Sequence, residues 1–252
     1  MPDGRLRGHT SELYWNFVTP YGGITAATVL NSILLQPQRL GDPVALTVNF
    51  AGPIRAGELF VAARLERSNR STQHWSVLLT QPADPRPLVS AIAVFAPRRP
   101  SWGRTEIAPP LVAAPQASAR VPPVPGLRWP ALYEMYYVHG RPGQANDDSI
   151  THHWIRDAPP RDLDFASLTS ICDAFFPRLF MLRPQVVPVA TVSLNIYFHL
   201  DSEALSRQST AHLLGVARGQ VYHEGYFDQE AQVWGRDDRL LATTHQLVWF
   251  KE

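Results

Sequence analysis

Apolar side chains cover nearly the whole circumference of one predicted helix, residues 165–182. Phe165, Leu168, Ile171, Cys172, Phe175, Phe176, Leu179 and Phe180 leave it no polar face, so it must be wrapped on every side. Asp173 falls in its middle, and a carboxylate among apolar neighbours needs partners or a task, because burying it unpaired is expensive. Pro177 cannot donate to the carbonyl of residue 173 and crowds it, which predicts a kink beside Asp173. Residues 187–199 then alternate, with Thr191, Ser193 and Asn195 on one face and Val192, Leu194 and Ile196 on the other. That is a strand with one polar face.

The earlier half of the chain carries a similar pattern. Residues 11–18 read as a strand, Tyr21, Gly22 and Gly23 break it, and Ile24, Ala27, Leu30, Ile33 and Leu34 mark a helix over 24–35. Residues 44–50, 59–67, 74–80 and 88–95 read as four strands. Nine prolines in residues 97–130 make that stretch an irregular connection. Beyond it come strands at 132–138 and 149–155, the 165–182 helix, and strands at 189–198, 211–217, two within 219–234, and 240–250. Each half runs strand, helix, four strands, and the halves superpose. Thr47, Val48, Asn49 and Phe50 fall on Asn195, Ile196, Tyr197 and Phe198, and Leu88 to Val94 falls on the stretch from Leu241 to Val248. Ala26 to Ile33 falls on Leu168 to Phe175. A curved antiparallel sheet around a long central helix satisfies each half. The fold expected is an α+β double hotdog, two curved antiparallel sheets each wrapping a long central helix, divided into 1–98, a Pro-rich linker at 99–130, and 131–252.

Composition narrows the class. The net charge of +1 gives no reason to expect a nucleic-acid partner. Cys172 is the single cysteine, which excludes an intrachain disulfide and suits a reducing compartment. The N-terminus is polar, and no apolar run reaches the ~18 residues of a membrane span. A soluble cytoplasmic protein without membrane contact is the expectation. His152 and His153 point to opposite faces of a strand and make a poor metal pair. No Gly-x-Ser-x-Gly elbow occurs, and Cys172 on a buried helix without a histidine partner reads as a core thiol rather than a nucleophile. Neither metal nor cofactor is expected.

Several local patterns, in order along nearly the whole chain, resemble the acyl-CoA thioesterase II family. Gly22, Gly23, Ile24, Thr25, Ala26 and Ala27 match its Gly-Gly-x-x-Ala-Ala, and Trp154, Ile155 and Arg156 its Trp-(Leu/Ile)-Arg. More specific are Ser170 to Asp173, similar to Leu-Ser-Asp; Ala190 and Thr191 seven residues before Phe198 and His199; and Leu241 to Gln246, similar to Leu-Val-Ala-Ser-x-x-Gln. The resemblance implies a double hotdog that hydrolyses acyl-CoA, with Asp173, Thr191 and Gln246 as the catalytic trio. Departures are Ser193 and Leu194 in place of the family's Asp-His, and Leu247 in place of a Glu; they bear on substrate preference.

Such a trio suits its chemistry. Asp173 can accept a hydrogen bond from a water and aim it at a thioester carbonyl, with Thr191 and Gln246 fixing its position. The counterparts of the trio in the first half are Asn31, Pro43 and Ala93, so one active site per chain is expected. Gly22 and Gly23 at a helix entry allow close backbone approach, either for packing or for an anionic substrate group. Arg98, Arg99 and Arg104 can meet coenzyme A phosphates or line a solvated edge. The rival reading is a non-catalytic acyl-CoA or acyl-carrier binding protein. A hydratase needs a histidine about one turn from the aspartate, where Arg178 stands instead. A homo-oligomer is expected, with Trp75, Trp234 and Trp249 available for contact.

Overall fold

The computed structural model describes residues 5–143, 146–183 and 185–252; the polar opening at residues 1–4 lies outside it. Thirteen strands form one sheet: β1 (Leu6–His9), β2 (Asp42–Phe50), β3 (Glu58–Ser68), β4 (Gln73–Gln81), β5 (Asp84–Ala96), β6 (Ala119–Arg120), β7 (Tyr133–His139), β8 (Thr151–Asp157), β9 (Val189–Phe198), β10 (Leu213–Arg218), β11 (Tyr222–His223), β12 (Tyr226–Trp234) and β13 (Leu240–Phe250). The helices are α1 (Gly22–Leu34), α2 (Phe165–Ile171), α3 (Leu179–Leu182) and α4 (Ser202–Ser206). The class is α+β with a large, all-antiparallel sheet, ordered β1-β3-β4-β5-β2-β9-β13-β12-β10-β8-β7-β6, with β11 on β12. The two expected sheets are therefore joined edge to edge, because β2 and β9 pair and each removes the other's open edge.

Backbone register is alike at the positions that the sequence superposes. Gln246 lies opposite Leu194, and Ala93 lies opposite Leu46. Between Ser193 and Thr191 the pairing with β13 skips Val192, and between Ala45 and Pro43 the pairing with β5 skips Val44. The same bulge thus occurs at the same place in both halves. Where the halves meet, the equivalent residues Thr47 and Asn195 face each other, and the Thr47 hydroxyl donates to Asn195 Oδ1 at 2.7 Å.

Several sequence expectations are corrected. The helix at 165–182 ends at Ile171 and resumes only as the one-turn α3, so Asp173 lies in a turn just past the helix. Pro177 removes the next helical donor. Phe175 and Phe176 leave the helix path to pack on His153, Tyr137 and Trp129. Residues 11–18 form a turn of 3-10 helix at Glu12–Tyr14 and a bridge from Trp15 to Pro20, while the actual first strand is β1. Trp75 and Trp234 are not available for contact: both are 1% exposed, Trp75 on the inward side of β4 and Trp234 at the end of β12, where its Nε1 donates to Gln232 Oε1, and of the three only Trp249 is partly exposed. Arg98 donates to the carbonyls of Phe198 and Pro43 and so ties the junction between halves, while Arg99 and Arg104 are exposed.

The core is continuous through both halves. Val29, Leu30 and Ile33 of α1 and Leu168 and Ile171 of α2 are essentially unexposed and pack with the inward residues of the strands. The Asp164 carboxylate caps α2 by accepting from the Ser167 N–H at 2.7 Å. No helix among the described residues is long and apolar enough to cross a membrane.

Candidate active site

Two elements of the second half and one of the first converge on Asp173. The turn after α2 carries it; β13 brings Gln246, which is 3% exposed; and the first turn of α1 closes the other side. Gln246 Nε2 donates to Asp173 Oδ1 at 2.9 Å, and the Thr191 hydroxyl donates to Gln246 Oε1 at 3.2 Å. The three residues therefore form a chain of hydrogen bonds rather than three parallel contacts.

Thr191 reaches Gln246 because of the bulge. Strict alternation from Leu194 would leave Thr191 on the outer face beside Ser193, as the sequence pattern predicts. Skipping Val192 sets Thr191 opposite the buried Val248 and turns its hydroxyl inward. The bulge thus brings the Thr191 hydroxyl to Gln246 instead of leaving it on the outer face.

Gly22 and Gly23 are held against the carboxylate. A β-carbon on Gly22 would lie 2.7 Å from Asp173 Oδ2, and one on Gly23 would lie 2.5 Å from the Ser170 carbonyl and from the Tyr21 ring. The Gly23 N–H hydrogen-bonds the Asp173 carboxylate. Tyr21, at the N-terminal end of α1, donates its hydroxyl to the Ser170 carbonyl at 2.6 Å, the same oxygen that accepts the Asp173 N–H at 3.2 Å. Its ring stacks on Trp129 at 4.2 Å, and the Tyr133 hydroxyl pairs with Ser170 Oγ at 2.7 Å. This aromatic brace has no sequence motif of its own; only the bulk of Tyr21 beside the glycines hints at it.

Burial raises the Asp173 pKa to about 7, against the Gln246 and Gly23 hydrogen bonds, which favour the charged form. A carboxylate poised near neutrality can take a proton from water. Cys172 is completely buried, and burial pushes its thiol pKa up, consistent with a core thiol. In the first half Asn31 is exposed on α1, Pro43 lies opposite Phe95, and Ala93 opposite Leu46, so the constellation has no counterpart there. Among the described residues no group of three or more His, Cys, Asp or Glu can hold a metal ion.

Comparison with known proteins bears on the family and the fold. Residues 11–96 match the acyl-CoA thioesterase N-terminal domain, and residues 82–250 match the acyl-CoA thioesterase C-terminal domain. A conserved protein of unknown function with a hot dog fold from Alicyclobacillus acidocaldarius is 43% identical over 98% of this chain and 93% of its own, with a TM-score of 0.94. Acyl-CoA thioesterase II TesB2 from Mycobacterium marinum aligns over 98% of this chain and 93% of its own at 16% identity and a TM-score of 0.75. The tesB protein MAP1729c of Mycobacterium avium subs paratuberculosis aligns over the same shares at 15% identity and 0.80; at these identities the likeness is one of fold. Curated proteins give no match. With one family's two domain models matched in sequence along residues 11–250, the chain belongs to the acyl-CoA thioesterase family.

Proposed function

We propose that this chain hydrolyses a fatty or other acyl-CoA thioester to the free acid and coenzyme A, using a water activated by Asp173. The observation that carries the reading is the hydrogen-bonded chain Thr191–Gln246–Asp173, present in the second half and absent from the first. Asp173 takes a proton as the water oxygen attacks the carbonyl carbon; collapse of the tetrahedral intermediate breaks the C–S bond, and that proton leaves on the thiol. Gln246 keeps the carboxylate in place, and Thr191 keeps Gln246 in place. Gly22 and Gly23 belong to the substrate side of the site. The first-turn amides of α1 lack intrahelical acceptors, and the positive end of the helix dipole favours the oxyanion that develops beside Asp173.

The architecture is read as a double hotdog in which 1–98 is a degenerate half, 99–130 a linker and 131–252 the catalytic half. The repeated bulge and the α1–α2 packing support that division. A homo-oligomer fits the outer sheet face, where Leu78, Ile92, Tyr197 and Leu247 are exposed. The test is thiol release from acyl-CoAs of increasing length, acetyl to palmitoyl. Turnover of at least one supports the reading, and binding without any turnover replaces it with an acyl-binding protein.

A further inference from the structure

Arg178, at 1% exposed, is the least exposed Arg, Lys, Asp or Glu among the described residues. Its Nε donates to the Phe176 carbonyl at 3.0 Å and to Gln229 Oε1 at 3.2 Å. Nη1 donates to the Ser149 carbonyl at 3.0 Å and to Thr151 Oγ1 at 2.7 Å, with the Ala217 carbonyl at 3.5 Å, and Nη2 donates to the Phe176 carbonyl. Every one of these partners is neutral, and no Asp or Glu among the described residues forms an ion pair with it. Neutral carbonyls fix the plane of a guanidinium but supply no counter-charge, and burying an uncompensated cation is costly. That cost pushes the Arg178 pKa down to about 10. Of the five guanidinium hydrogens, one on Nη2 is left over by this set of acceptors.

Tyr137 and His153, close enough to feel its charge, carry polar atoms without a partner, and the Tyr222 hydroxyl near it has none either. Tyr137 is 7% exposed and His153 4%, and neither the Tyr137 hydroxyl nor His153 Nε2 has a hydrogen bond. They face each other across β7 and β8 with ring centroids 6.5 Å apart, and Thr151 stands one inward position along from His153. Burial and the Arg178 charge keep the imidazole neutral, its pKa down to about 3, so it offers one N–H. Three potential donors thus meet inside the second half with an unmatched positive charge among them.

This cluster adjoins the proposed site. Gln229, which accepts from Arg178, lies directly opposite Gln246. Asp173 and Arg178 are the two ends of one short segment, whose Phe175 packs on His153 at 4.9 Å and Phe176 on Tyr137 at 6.3 Å. We propose that Arg178, Tyr137 and His153 form a subsite for a carboxylate at the far end of the acyl group, so that the preferred substrates are thioesters of dicarboxylic acids. The proposal rests on the thioesterase reading. A carboxylate supplies the missing negative charge and can accept from Nη2, the phenol and the imidazole together.

The test measures thiol release from matched pairs, succinyl-CoA against butyryl-CoA and adipyl-CoA against hexanoyl-CoA. The carboxylated member of at least one pair is expected to have a kcat/KM tenfold or more higher, mainly through KM. Tyr137→Phe removes a hydroxyl that has no partner in the protein, so the fold is kept, and the ratio should fall severalfold. Arg178→Met should bring it close to one; because that change strips donors from two buried carbonyls, Tyr137→Phe decides the matter if Arg178→Met does not fold. No preference for either carboxylated member, or a Tyr137→Phe ratio equal to the parent's, overturns the subsite while plain acyl-CoA turnover leaves the thioesterase reading standing. Absence of thiol release from these pairs and from the longer acyl-CoAs overturns both.

Discussion

Gln246 can hold Asp173 only while its amide nitrogen faces the carboxylate, and the Thr191 hydroxyl donating to Oε1 is what sets that orientation. Gln246→Ala should therefore lower kcat about ten- to a thousandfold and Thr191→Val less, with the double variant close to Gln246→Ala alone because the two act in series. Steady-state kinetics on the three variants check this. Asp173 also makes stability depend on pH. Its pKa rises from 3.8 to about 7 in the folded chain, so the folded state binds the proton more tightly. The contribution of this group to stability is full at low pH and is lost as pH rises from about 4 through about 7. Asp173→Asn carries no such charge, and its melting temperature should gain on the parent's between about pH 5 and about pH 8; an unchanged difference across that window contradicts the burial argument. The trio was legible in the sequence only through motif resemblance. Arg178 was not, since nothing in a sequence marks an arginine as buried until the strands around it are placed.

At the scale of elements, the first turn of α1 is as much a part of the site as β13. Gly23→Ala puts a methyl into the Ser170 carbonyl and the Tyr21 ring, and the carbonyl cannot give way without moving Asp173, which hydrogen-bonds to it. The variant should melt several degrees lower and lose at least tenfold in kcat, read by thermal denaturation and turnover on the same preparation. Most strands were visible as alternating patterns, but two local events were not. The bulge at Val192 is silent because Thr191 and Val192 are both β-branched, and period-2 reading cannot tell which of them the partner strand skips. Pro177 was visible, yet it read as a kink; aromatic packing of Phe175 and Phe176 on β7 and β8 ends the helix at Ile171 instead.

The whole molecule is one sheet with two unequal halves, and the duplicated register makes the first half an internal control for the second. The matching register of β2 with β5 and β9 with β13 was legible as apolar patterns and short strings that recur in order. The edge-to-edge junction was not, because pairing of β2 with β9 depends on distant chain segments. Trp75 and Trp234 misled for a related reason, since only the placed strands show that both are covered. Asn31→Ala, at the exposed counterpart of Asp173 on α1, should leave turnover within a few-fold of the parent. The most direct test of the account is kcat for Asp173→Asn on the best acyl-CoA substrate, alongside circular dichroism and binding of a non-hydrolysable acyl-CoA analogue. A fall of roughly a hundredfold or more with fold and affinity retained is the predicted result; a folded variant that binds the analogue normally and turns over at the parent rate would contradict it.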